Sequence, residues 1–215
     1  MHEFPPDLEF SLADTMFIVS REAAQGLYED VQRTAHLDTR TDALVEAMSS
    51  DDSELSELIH DLINEWEFDD READYFTEGY ALSYRLLSYE TNIGRIELPK
   101  LSEPVRDGYI GKIRSPGQNT IRYIDNRLDI LTDTNEVFVD CLEEYISNDE
   151  IMDEDDKHAF FLGAFCVYDV LYQQAKINEL MDYSNDAHNG KVSVTPGYLK
   201  KIIGRISPSS DSGRP

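Results

Sequence analysis

The sequence predicts a mostly α-helical fold, a multi-helix bundle with an internal pseudo-twofold repeat and a Pro/Gly-rich central connection. Three observations carry that prediction. Apolar residues recur at three- and four-residue steps along most of the chain. Capping signals precede several of these stripes. A twelve-residue pattern also occurs twice: FTEGYALSYRLL from Phe76 and FFLGAFCVYDVL from Phe160 both fit F-x-x-G-x-x-x-x-Y-x-x-L.

Residues 1–12 contain Pro5-Pro6 and read as an extended arm. From Asp14 the pattern Phe17, Ile18, Ala23, Leu27, Val31 predicts a helix to about His36. A short helix is expected over Thr41–Met48, with Thr39 or Thr41 as cap. Ser53, Glu54 and Glu57 open the next, where acids favour the positive helix end. Its stripe is Leu55, Leu58, Ile59, Leu62, Ile63 and Trp66. FDDREAD starts a fourth helix, running to about Tyr89, with Gly94 as C-cap. Residues 95–118 hold three Pro and three Gly, which preclude a long helix. A short strand is expected at GYIGKI, residues 108–113. Helices resume over 121–131, 136–146 and 155–180, and 182–190 reads as a polar loop. Thr195-Pro196 suggests an N-cap and N1 proline for a last basic helix, within a segment 183–206, before a disordered tail, 207–215.

The repeat extends beyond the twelve residues. At an offset of 84, Leu55–Leu87 shows 7 identities in 33 positions, against roughly two from average composition. Among them are Asp69 with Asp153, Phe76 with Phe160, Gly79 with Gly163 and Tyr84 with Tyr168. The helical domain, 13–182, thus reads as two units, about 13–92 and 119–182, joined by 93–118. The competing reading is two unrelated amphipathic helices converging on common residue types. An interior helical glycine costs about 1 kcal/mol relative to alanine, so Gly79 and Gly163 point to close helix approach. The second copy is apolar nearly all round, which predicts a central or interfacial helix. Phe76, Gly79, Tyr80, Tyr84, Phe160, Gly163, Tyr168 and Tyr172 are the candidate packing and interface residues. Tyrosine suits interfaces because it joins apolar area to a polar tip.

The solvent is legible too. Asp plus Glu number 44 against 19 Lys plus Arg, a formal charge of −25. Aromatic content and periodicity argue for folding rather than disorder. Acids occur in nearly every segment, which favours adaptation to molar salt, where self-repulsion is screened. The composition resembles that of proteins from salt-in archaea or their viruses and plasmids. The other reading is nucleic-acid mimicry. The N-terminus lacks a signal-peptide pattern, and the longest apolar run, 159–168, is far short of the roughly 20 residues of a span. A cytoplasmic protein or a virion component is expected, with no membrane contact.

Candidate chemistry is sparse. Glu57 with His60 and Asp155 with His158 have the i, i+3 spacing of carboxylate–histidine metal pairs. With 44 acids the chain yields such pairs by chance, so no metal and no cofactor is expected. Cys141 and Cys166 read as buried free thiols. There is no G-x-S-x-G, P-loop or G-x-G-x-x-G. Two net-positive islands, 95–127 and 191–206, place Lys100, Arg106, Lys112, Arg114, Lys200, Lys201 and Arg205 as candidate anion or nucleic-acid contacts. Alternatively they neutralise the acidic bundle internally. The sequence is read as a non-enzymatic interaction or assembly subunit, self-associating or bound to a protein partner. The alternatives are a nucleic-acid-binding regulator and an acidic DNA-mimic decoy.

Overall fold

The computed structural model describes residues 17–34, 53–66, 68–88, 98–110, 118–147 and 151–188. Among them are seven helices and no strand: α1 (Arg21–Thr34), α2 (Ser53–Glu65), α3 (Asp70–Ser88), α4 (Glu103–Ile110), α5 (Gln118–Thr134), α6 (Glu136–Ser147) and α7 (Glu154–His188). The mostly helical prediction holds. By internal contacts the chain divides into Met1–Lys176 and Ile177–Pro215.

In the first unit, α1 packs on α3 and α6, α2 on α3 and α4, α3 on α6, and α5 on α6. The core draws on all seven helices: Ala23 of α1, Leu58 and Leu62 of α2, Phe76 and Leu86 of α3, Tyr109 of α4, Leu131 of α5, Phe138 of α6, and Phe160 and Phe165 of α7 are buried. From Ala159 to Leu171, α7 buries Leu162, Ala164, Val167 and Val170 as well, so no apolar stripe stands out. That is the environment expected of a helix apolar all round. In the second unit the helix continues through Ile177 to His188, and Met181 is exposed.

Three local expectations need correction. The first helix begins at Arg21, not Asp14. Ser20 caps it, its hydroxyl accepting from the Ala23 amide at 3.1 Å and its carbonyl from Ala24. Phe17 to Val19 instead forms a non-helical segment with side chains alternately buried, exposed and buried. Residues 108–110 are helical, not a strand. There the Ser102 carbonyl accepts from Val105 and Arg106. Pro104 falls in the first turn, where its missing N–H costs nothing. Val105 and Tyr109, one turn apart, are buried, as is Leu101. Finally, residues 182–188 continue α7 rather than forming a loop. Extending an existing helix needs no new nucleus, so weak formers are carried along. The expected arm, 41–48 helix, Gly94 cap, last basic helix and tail lie outside the described residues.

Candidate functional site

The two F-x-x-G segments meet. A Cβ built on Gly79 would overlap the Phe160 carbonyl oxygen and lie 2.8 Å from its carbon. A Cβ built on Gly163 would overlap the Phe76 carbonyl oxygen and lie 2.9 Å from its carbon. Each glycine thus sits against the backbone of the phenylalanine that opens the other segment. Backbone cannot swing aside as a side chain can, so hydrogen is the only substituent that fits. The flanking rings fill the space beside the crossing. Phe76 packs edge-on to Trp66 at 5.6 Å and tilted against Phe68 at 5.4 Å. Phe160 stacks on Tyr145 at 5.2 Å.

The helices carrying these segments start alike. Asp69 Oδ1 accepts from the Arg71 and Glu72 amides, and Glu72 Oε2 accepts from the Asp69 amide, each at 2.9 Å. Asp153 Oδ1 accepts from the Asp155 and Asp156 amides at 3.1 Å, and Asp156 Oδ2 from the Asp153 amide at 2.8 Å. Both are capping boxes built with carboxylates, which also favour the positive helix end. The two starts are joined by Arg71. It donates to the Ile151 carbonyl at 2.6 Å and pairs with the buried Asp156 carboxylate at 2.5 Å. The Asp156 amide leads the causes that hold the Asp153 carboxyl below its usual range, and Arg71 contributes.

Other interior polar groups also bridge elements. The Tyr109 hydroxyl of α4 donates to Cys166 Sγ of α7 at 3.3 Å. Burial pushes the Cys166 thiol up to about 12 and Tyr109 well above 10. The Tyr123 hydroxyl of α5 donates to Asp169 Oδ2 at 2.7 Å, and Arg127 pairs with the same carboxylate. Burial raises Tyr123 to about 12 and Cys141 to about 11, the latter with help from Glu144 and Asp140. Nucleophilic chemistry uses the thiolate, so both cysteines are held in the unreactive form at neutral pH.

The remaining sequence candidates fall in varied places. Tyr80 is buried and donates to the Leu55 carbonyl at 3.0 Å. Tyr168 and Tyr172 stack at 6.3 Å, while Tyr84 is half-buried. Arg106 sits among three carboxylates, Glu57, Glu54 at 2.9 Å and Asp107 at 3.2 Å. Lys100 is exposed. Lys112, Arg114, Lys200, Lys201 and Arg205 lie outside the described residues. Glu57, His60 and Asp155 are exposed and His158 half-buried. Among the described residues no group of three or more His, Cys, Asp or Glu is placed to hold a metal ion. No described helix is long and apolar enough to cross a membrane.

Sequence reasoning missed Asn135, at the break between α5 and α6. It is 4 % exposed. Its Nδ2 donates to the Phe17 carbonyl at 2.6 Å and its Oδ1 accepts from the Val19 amide at 2.9 Å. In TDTNE it reads only as a helix-breaking polar residue; its partners lie more than a hundred residues away. The chain matches no protein-family model, no curated protein and no solved structure.

Proposed function

We propose that the protein is a non-enzymatic interaction or assembly subunit suited to high salt. On this reading it is built from two related helical units, about 13–92 and 119–182, with 93–118 as their connection. A pseudo-twofold axis passes through the Gly79–Gly163 crossing. The reciprocal glycine contacts and the paired capping boxes support that symmetry, since both recur at the offset of 84 residues.

One observation carries the functional part. Among the described residues, Cys166, Asp169 and Asp156 each close a junction between elements: Cys166 with Tyr109, Asp169 with Tyr123 and Arg127, Asp156 with Arg71. Groups engaged in this way hold a framework, and a framework serves binding. The outer surface supports the salt reading. Exposed carboxylates occur on every described helix, as at Glu22, Glu57, Asp74, Glu103, Asp125, Asp140 and Asp155. A decoy of nucleic acid would gather them on one face. The setting of Arg106 favours internal neutralisation over phosphate contact.

Affinity co-purification at the host's own salt, split into nuclease-treated and untreated halves, tests the reading. A discrete protein partner, or an excess of the chain itself, that survives nuclease is the expected result. Recovery of the bait alone after nuclease, with nucleic acid in the untreated half, would move the function to the basic islands.

A further inference from the structure

The segment Phe17–Val19 is seated as a ligand would be. Its three side chains alternate: Phe17 is 0 % exposed, Ile18 44 % and Val19 2 %. Phe17 lies edge-on to Tyr168 at 5.6 Å and to Tyr172 at 5.7 Å. Phe138 packs on Tyr168 behind them at 5.2 Å. Asn135 makes two hydrogen bonds to the segment's backbone, one as donor and one as acceptor. One aromatic anchor plus backbone pairing is the grammar by which proteins recognise extended peptides. Each of these contacts is made to residues far along the chain. The hinge is equally distinct: Ser20 caps α1 through its own hydroxyl and carbonyl. Lifting the segment out therefore leaves those cap bonds in place.

We propose that this seat, formed by Asn135, Tyr168 and Tyr172, is an exchangeable docking site whose second occupant is the Phe17–Val19 segment of another copy of the chain. Exchange of an identical element conserves all of its contacts, which is why it is a low-cost route to dimers. The segment tethered to its own seat has an effective concentration of about millimolar. Exchange is therefore favoured at high protein concentration or in a closed pair that swaps both segments. This inference gives the self-association reading above a specific surface, and it rests on that reading.

The test uses the full chain and a fluorescein-labelled peptide with the sequence of residues 14–22, at molar salt. Phe17→Ala weakens the tethered occupant, so the variant is expected to bind the peptide saturably. The unaltered chain should bind it less tightly. Adding Asn135→Ala to Phe17→Ala should weaken peptide binding about tenfold, from the loss of two hydrogen bonds. Should Phe17→Ala not fold, Ile18→Cys labelled with a donor on one copy and an acceptor on another gives a second readout. Energy transfer that rises with concentration and falls when excess unlabelled peptide occupies the seats supports exchange. Absence of peptide binding to a folded Phe17→Ala chain overturns the proposal. So does self-association that excess peptide leaves unchanged, an outcome that leaves the assembly reading intact. A chain that is monomeric at every concentration overturns exchange, and a protein partner in the co-purification would still sustain the assembly reading.

Discussion

Helices α3 and α7 share an opening and diverge in their surroundings. Each begins with an aspartate-led capping box, and seven residues on comes a phenylalanine, then a glycine three further. At the crossing each glycine meets the other's phenylalanine. Away from it the positions differ. Tyr80 uses its hydroxyl on the Leu55 carbonyl where α7 has the small Ala164. Thr77 and Glu78 of α3 are half-buried where α7 has Phe161 and the buried Leu162. Buried Ser83 faces the same register position as buried Val167. The comparison teaches that backbone contact fixes the glycines and ring packing the phenylalanines, while the other faces adapt to what each helix packs against.

The largest effect should come from the rings at the crossing. Phe76→Ala and Phe160→Ala remove side chains that are both 0 % exposed. Each should cost about 3–5 kcal/mol in urea unfolding. A large difference between them would mean that the two flanks do not carry comparable loads.

Alkaline pH acts next, on groups of α5, α6 and α7. Cys166 rises from 9.0 to about 12, Tyr123 from 10.0 to about 12 and Cys141 from 9.0 to about 11. These groups stay neutral in the folded chain while the unfolded chain loses their protons, so unfolding is favoured as pH rises. Their contribution is fully present below about pH 9 and is lost progressively toward the folded values near 11–12. Urea midpoints taken across that range should fall. In the double variant Cys141→Ala, Cys166→Ala the fall should begin only near the tyrosine value. Midpoints flat from pH 9 to 12 would contradict burial as the cause.

The smallest effects are gains. The Ser83 hydroxyl is buried and has no hydrogen-bond partner among the described residues. Ser83→Ala should stabilise by about 1 kcal/mol. At Gly108 a Cβ would meet nothing within 4 Å. Gly108→Ala should therefore gain about 0.5–1 kcal/mol. Loss of stability in either variant, read from the urea midpoint, would show that the site is tighter than described.

Much of this was legible in sequence. The stripes of α2, α3, α5 and α6 follow helical spacing, α7 is apolar nearly all round, and the acids of Glu54, Asp70 and Glu154 mark helix starts. The F-x-x-G pair announced close approach through its two costly glycines. What escaped was non-local. Phe17 and Ile18 fit a helical stripe, yet tertiary contacts with Asn135 and Tyr168 hold the segment out of α1. The eight residues of α4 are too few for a periodic signal, and Pro104 reads as a breaker until Ser102 is seen as the cap. The partners of Arg71 and Cys166 lie on other helices, beyond any window of spacing.

The central claim is that α3 and α7 meet by a reciprocal contact in which neither glycine tolerates a side chain. Urea unfolding of Gly79→Ala and Gly163→Ala, with Gly108→Ala as the open-space control, tests it most directly. Each substitution at the crossing should destabilise by about 3 kcal/mol, the upper part of the overpacking range. The two should match, and the control should move the other way. If either crossing variant were as stable as the unaltered chain, or if only one of them lost stability, the reciprocal contact would be contradicted.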